Sequence, residues 1–453
     1  MIPFVFVCLG VMLAVICLWF LLFKRPIYEG VILSFVILVA MTGTWGEIGN
    51  FFLNSMKTSL LYSMVAFVAM SQVLSKTKIV DKCVMIIIAL LGRIPGGAGY
   101  ASILASSFMG ALSGSGPGNV MATGTITIPA MKKTGFPPEL AANVESASSY
   151  LGNMIPPSAN IVAALGAYLA FAPESNMTTG RFWVVCWGIS LWFILARIAQ
   201  LFVFCRVYKI QPMAKEDIPS LRDTLRIGWT GLLLPVVILL PFVLDSIFNA
   251  TFITERLGAT GAKYFSSSLL IFVAGIATLY GLLVTEEKSA RTPMAMVRTF
   301  SKGVKGLAPI VSTCVFGYAI GELFEYINAG EQMKVLFESL SIGRVGLAFL
   351  IPLMTCFITM VIPGSSVTVM FGTVFISVFA SAGVDPLLTA AMLPCMCGVM
   401  CGITPPFALG MYAGMSIAES DFAKTVKNDL WWVLVQYIME VIVLLGWLPI
   451  LGL

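Results

Sequence analysis

The residues best placed to do chemistry in this sequence are small, neutral and present in two sets. The first reads G-A-L-S-G-S-G-P-G-N over residues 110–119 and L-G-N-M-I-P-P-S-A-N over 151–160; the second reads P-G-S-S-V-T over 363–368 and G-I-T-P-P over 402–406. Ser113, Ser115, Asn119, Ser158 and Asn160, and then Ser365, Ser366, Thr368 and Thr404, offer uncharged hydroxyl and amide oxygens. The glycines among them let backbone amides and carbonyls approach a ligand closely. A helix that begins at such a point presents free N–H groups suited to a carboxylate, and one that ends there presents carbonyls suited to a bare cation. The chemistry this predicts is the binding of an anion and a cation side by side. The chain contains no histidine, which removes histidine bases and most zinc sites. A Ser115 nucleophile would have only Lys132 or Glu145 as its base, so an enzyme is not the reading taken.

The elements that must hold these residues are membrane helices. Of 453 residues 58% are hydrophobic and 11% charged, more apolar than a water-soluble surface of this length can be. The glycine clusters and proline pairs lie between apolar runs, and irregular backbone at membrane depth is tolerated only where protein buries it or where it lines a cavity. Gly114, Gly135, Ala141-Ala142 and Pro156-Pro157 recur as Gly364, Gly383, Ala390-Ala391 and Pro405-Pro406, at offsets of 248 to 250 residues. This is an internal duplication of a re-entrant hairpin followed by a broken helix, and paired interrupted segments point to the binding site of a secondary transporter.

The all-α layout expected is about ten transmembrane helices, two of them broken, plus two re-entrant hairpins. Spans are predicted at 2–23, 31–42, 51–74, 182–204, 227–244, 266–284, 307–327 and 430–451, with broken helices at 139–172 and 387–415. The hairpins are 97–131, with its tip at 113–119, and 346–380, with its tip at 363–366. Short interfacial arms are expected at 79–91 and 332–340. Residues 1–204 form the first repeat, 205–226 a cytoplasmic linker and 227–453 the second repeat. With the N-terminus outside, 20 of the 27 lysines and arginines fall in inside segments, as the positive-inside rule asks. Five spans separate the hairpins, so the repeats are inverted. The net charge of +5 is dispersed, which argues against a nucleic-acid partner and leaves the lipid bilayer as the expected surroundings.

S-G-S-G-P-G-N-V with G-T-I-T-I-P-A-M-K-K-T-G-F, A-A-N-V-E-S-A and I-P-P, and then G-I-T-P-P-F-A-L, resemble the large membrane (permease) subunit of tripartite ATP-independent periplasmic (TRAP) transporters. The resemblance covers nearly the whole chain. It implies an elevator-type secondary transporter of the ion-transporter superfamily in the bacterial inner membrane, driven by a sodium gradient and carrying an organic carboxylate. It also implies two partners, a small four-helix membrane subunit and a periplasmic substrate-binding protein. Carried over by motif, Ser113, Gly114 and Ser115 with Gly152, Asn153 and Pro156 frame one cation site, and Ser365 and Ser366 with Gly402 and Thr404 frame the other. No cofactor beyond the coupling ion and no transition metal is expected.

Four carboxylates fall in or near apolar spans. Glu145, about two turns before the break at Asn153, is a possible proton site, which would replace sodium by proton coupling; the alternative is a carboxylate tied to neighbouring hydroxyls. Glu322 and Glu325 share one span, and Glu440 on the last is read as a partner or interface contact. Cys395, Cys397, Met400 and Cys401 read as packing residues. A transporter of the same superfamily that needs no binding protein is the alternative function.

Overall fold

The computed structural model describes residues 4–453 except 58, 75, 76, 78, 114, 115, 176, 286–291, 304–306, 330, 331, 333, 334, 336–341, 361, 362, 406 and 407. The described residues form helices, turns and loops, with no strand among them.

In the first half, α1 (Phe4–Cys17) continues through a wide turn at Leu18–Leu22 and packs on α2 (Ile27–Thr42), which ends where Gly43 takes a left-handed φ of 70°. The span expected at 51–74 is described as α3 (Ile48–Lys57) and α4 (Ser59–Leu74), with residue 58 between them outside the described residues. The expected arm is the helix α5 (Ile79–Leu91). The hairpin is α6 (Gly97–Ser113) and α7 (Gly116–Lys133), and the broken helix is α8 (Pro138–Leu151) followed by α9 (Ala159–Phe171). α7 is helical from Gly116, the first described residue after 114 and 115, so it includes Pro117 and Gly118 ahead of the expected start at Asn119. Thr178 caps α10 (Thr179–Val207), its hydroxyl accepting from the Arg181 N–H at 3.3 Å.

Between the halves, 205–226 is not a plain linker. Ser220 caps α11 (Leu221–Leu232), which is followed by α12 (Leu234–Phe248). Gly228 and Gly231 of α11 let it lie close on α5, where an added Cβ would come 2.9 Å from Ile86 and 3.0 Å from the Cys83 sulfur. That contact, with α5 also against the hairpin, buries Ile79, Val84, Ile86 and Ile88. α13 (Thr254–Val284) is kinked at Gly258, whose φ of 71° no other residue adopts readily.

The second half continues with α14 (Pro293–Gly303) and α15 (Leu307–Tyr326). The second expected arm lies mostly outside the described residues. α16 (Arg344–Thr359) and α17 (Gly364–Ser381) form the second hairpin, and α18 (Pro386–Leu393) and α19 (Leu409–Ala418) are the ends of the second broken helix. Asp385 caps α18, accepting from the Leu387 N–H at 2.7 Å. The last helix is α20 (Phe422–Leu444).

Among the described residues five helical stretches are long and apolar enough to cross a membrane: Pro138–Phe171, Thr179–Val207, Leu221–Asp245, Thr260–Val284 and Gly364–Ser381. Of the other expected spans, those at 2–23 and 31–42 are shorter apolar helices where described, and those at 307–327 and 430–451 correspond to α15 and to the last helix of the chain. Large apolar side chains such as Leu195, Val203, Phe272 and Leu283 point outward from α10 and α13, as lipid-facing positions do. The two halves interlock: α8 lies against α19 and α20, and α9 against α17 and α18.

Candidate functional site

The first break forms as the proline pair dictates. α8 tightens into a single 3-10 turn at Gly152–Met154, Ile155 is extended, and the Pro156–Pro157 bond is cis. Ser158 restarts the helix. Its oxygen accepts from the Ile161 N–H at 3.3 Å while its hydroxyl donates to the Asn153 carbonyl. The second break is described on either side of residues 406 and 407. α18 opens into a wide turn at Pro394–Val399 and a tight one at Met400–Gly402, and the chain is helical again from Leu409.

The two breaks meet. Asn153 Nδ2 donates to the Gly398 carbonyl at 2.6 Å, and a Cβ on Gly398 would stand 2.8 Å from Asn160 Nδ2. Each hairpin also seats a glycine on its own break. A Cβ on Gly110 would meet the Ser149 carbonyl at 2.3 Å, and one on Gly364 would meet the Cys397 carbonyl at 2.1 Å. No Cβ can be accommodated at such distances, so both contacts require glycine. The buried ring of Tyr150 joins the halves a second time. Cβ atoms on Gly116, Gly402 and Gly410 would lie 2.3, 2.0 and 2.3 Å from it, so three glycines from α7, the second break and α19 form its collar.

Most polar groups predicted for the site are partly engaged by the protein. Asn119 donates both amide bonds, to the Ser106 carbonyl at 2.8 Å and to Ser149 Oγ at 2.9 Å, while its Oδ1 is buried without a partner. What Asn119 has left is an acceptor. Thr368 donates to the Gly364 carbonyl at 3.0 Å and Thr404 to the Met400 carbonyl at 2.7 Å. Ser366 is buried and Ser365 half-buried at the start of α17. Gly114, Ser115 and the side chain of Ser113 lie outside the described residues. Gly152, Asn153, Pro156, Ser158, Asn160 and Gly402 all cluster around the two breaks.

Glu145 sits one element away, fully buried. Ser102 Oγ and Thr127 Oγ1 donate to its Oε2 at 2.7 and 2.5 Å; Ser106 Oγ, Ser149 Oγ and Thr123 Oγ1 donate to Oε1, the first two at 2.8 and 3.1 Å. Both limbs of the first hairpin are thereby tied to α8. Three of these hydroxyls also have a second acceptor: Ser106 has Thr123 Oγ1 at 3.0 Å, Thr123 the Asn119 carbonyl at 2.8 Å, and Thr127 the Thr123 carbonyl at 3.1 Å. The hydroxyls nearest to Glu145 in sequence, Ser146 and Ser148, are not among them and donate instead to the carbonyls of Asn143 and Val144. The missed partners carried a signal, the four-residue spacing of Ser102 with Ser106 and of Thr123 with Thr127, which puts each pair on one helix face. Tyr150 carried none, since its role depends on glycines about 250 residues further on.

Glu440 is corrected. It is buried inside the chain, accepting from Gln436 Nε2 at 3.1 Å and Cys395 Sγ at 3.4 Å, so it is not a surface contact for a partner. Glu322 accepts from Asn54 Nδ2 at 3.2 Å and, with Glu325, lines a cavity of about 270 Å³ between α9, α15 and α17.

Comparison with known proteins agrees with this geometry. Residues 2–451 match the family described as the tripartite ATP-independent periplasmic transporter, DctM component. The chain is 24% identical to the C4-dicarboxylate TRAP transporter large permease protein of Pseudomonas aeruginosa, over 78% of this chain and 77% of that one. It is 23% identical to the sialic acid TRAP transporter large permease protein of Vibrio cholerae, over 88% and 87%. Its fold resembles that of MtrF from Neisseria gonorrhoeae, with a TM-score of 0.63 at 14% identity over 92% of this chain and 86% of that one. A multi-pass helical chain with two interrupted helices meeting break to break, matched to that family from residue 2 to 451, belongs to the large permease (DctM) component of the tripartite ATP-independent periplasmic transporters.

Proposed function

We propose that this chain carries an organic carboxylate into the cell across the bacterial inner membrane, driven by a cation gradient. In this reading it acts with a small four-helix membrane subunit and a periplasmic binding protein that delivers the substrate. The observation that carries the proposal is the meeting of the two breaks through Asn153 and Gly398, which gathers helix ends of both polarities at one place. The relatives named for C4-dicarboxylate and sialic acid both handle carboxylates, which supports the substrate class.

The free N–H groups that open α9 beside Asn160, and those that open α17 beside Ser366 and Thr368, take the substrate carboxylate in this reading. The cations, taken as sodium, are held by carbonyls and hydroxyls around Ser113, Gly114, Gly152, Asn153 and Pro156, and around Ser365, Gly402 and Thr404. Asn119, whose amide hydrogens are committed, contributes an acceptor and so moves from the substrate group to the cation group. The substrate-bearing core moves past the outer helices as an elevator.

The test is uptake of labelled carboxylates into proteoliposomes holding this chain and its small subunit, with and without the binding protein and an inward sodium gradient. Uptake that needs both is the expected result; uptake independent of the binding protein would overturn the tripartite reading. The cage around Glu145 favours a second reading of the coupling ion. Because Ser106, Thr123 and Thr127 each have an alternative acceptor, the carboxylate can gain a proton while these hydroxyls turn away. Uptake driven by a proton gradient alone, and lost in Glu145→Gln, would select that reading.

A further inference from the structure

A second buried acid cluster lies away from the breaks, where α20 packs on α10 and α18. Asp429, Trp432, Gln436 and Glu440 follow one another at three- or four-residue spacing and so form one stripe on α20, and all four are buried. From α10, Arg197 reaches the middle of that stripe while itself only 1% exposed. Its Nη1 donates to the Trp432 carbonyl at 3.0 Å and to Gln200 Oε1 at 3.4 Å; its Nη2 donates to Gln436 Oε1 at 3.0 Å, and its Cζ stands 5.2 Å from the Trp432 ring centroid. These partners are neutral. The carboxylates flank the guanidinium along the helix, about 16 Å apart by the helical rise. Asp429 Oδ1 and Glu440 Oε2 are both buried without a hydrogen-bond partner.

Charge counting decides what such a seam holds. Two ionised carboxylates against one guanidinium leave a net negative charge in a sealed interior, which costs several kcal/mol for the unpaired ion. One proton removes it. We propose that the Asp429–Arg197–Glu440 seam is a binding site for a single proton, carried by one of the two acids, with Arg197 as the fixed counter-charge.

The surroundings fit a proton better than a metal ion. Glu440 meets a thiol and an amide N–H, at Cys395 Sγ and Gln436 Nε2, rather than a shell of oxygens. The other titratable groups near the seam are thiols and a phenol: Cys356 on α16, Cys397 in the second break and Tyr437 on α20. α8 contributes the neutral Asn143, bonded to the Thr425 carbonyl and to Asn428 Oδ1. Arg344 of α16 reaches α20 only at the Leu444 carbonyl, one turn beyond Glu440. The proton can therefore leave only if α20 parts from α10 and admits water.

The proposal is tested by infrared difference spectroscopy on the full chain in nanodiscs, reading the carbonyl stretch of protonated carboxyls, with Glu145→Gln as the background for the other acid site. The wild type should show one protonated carboxyl that is absent from both Glu440→Gln and Asp429→Asn, because either change alone balances Arg197. Arg197→Gln should show two, and Arg197→Lys one. Thermal unfolding of each variant confirms that it is folded, and Arg197→Lys carries the test if Arg197→Gln is not. A band that survives both acid substitutions overturns the proposal. So does a wild-type band that disappears on adding sodium, which would assign the seam to a metal cation.

Discussion

Glu145 places a carboxyl group in the interior, and five hydroxyls donate to it there. Hydrogen bonds to a charged group are worth about 1.5–3 kcal/mol each, so their loss should be visible even where the hydroxyls find other acceptors. Glu145→Ala is expected to destabilise the detergent-solubilised chain by about 2–4 kcal/mol, read by chemical unfolding. Thr127→Val should cost less, about 1 kcal/mol, because four donors remain. At this scale the sequence was half legible. An isolated carboxylate in an apolar span marks itself, as Glu145 and Glu440 did, but its partners do not when they lie on other helices. Arg197 went unremarked because what makes it notable is a stripe more than 230 residues later.

The broken helices depend on contacts that admit no side chain. Gly402→Ala would push a Cβ to 2.0 Å from the Tyr150 ring. Overpacking of this kind costs roughly 1–3 kcal/mol, and the test is whether Tyr150→Leu in the same chain recovers part of it. If Gly402→Ala is as damaging with leucine at 150 as with tyrosine, the collar is not the cause. Asn153→Leu removes the only side-chain bond described between the two breaks. Losing a buried bond of about 1–3 kcal/mol corresponds to a loss in uptake rate of about fivefold to 150-fold, with binding-protein docking unchanged. Element positions were the most readable part of the chain. The limb Gly97–Ser113 and the arm Ile79–Leu91 coincide with the expected residues because glycine, proline and charge mark their ends. The helix starting at Leu221 was missed because its first turn, L-R-D-T-L-R, reads as a polar linker until Gly228 and Gly231 are seen lying on α5.

The whole chain carries its own orientation test. Cys8, Cys83, Cys186, Cys205, Cys356, Cys395, Cys397 and Cys401 are all buried, so with Cys17 and Cys314 replaced by serine a membrane-impermeant thiol reagent should label the native chain weakly. Against that background Glu174→Cys should label from outside in intact cells and Lys215→Cys only after permeabilisation; the reverse pattern would invert the topology. The matched motifs of the two halves were readable at this scale from offsets of 248 to 250 residues. How the two copies interlock was not, because an offset says that two units are alike and nothing about which faces meet. The Tyr150 ring has a mechanical consequence for that assembly. Held by backbone from α7 on one side and from the second break and α19 on the other, it works as a dowel: neither half can slide along the other without forcing an aromatic ring through main chain. On the proposed elevator reading, hairpin and breaks travel as one piece, and the cargo leaves by displacement of that piece against its surroundings rather than by an opening within it.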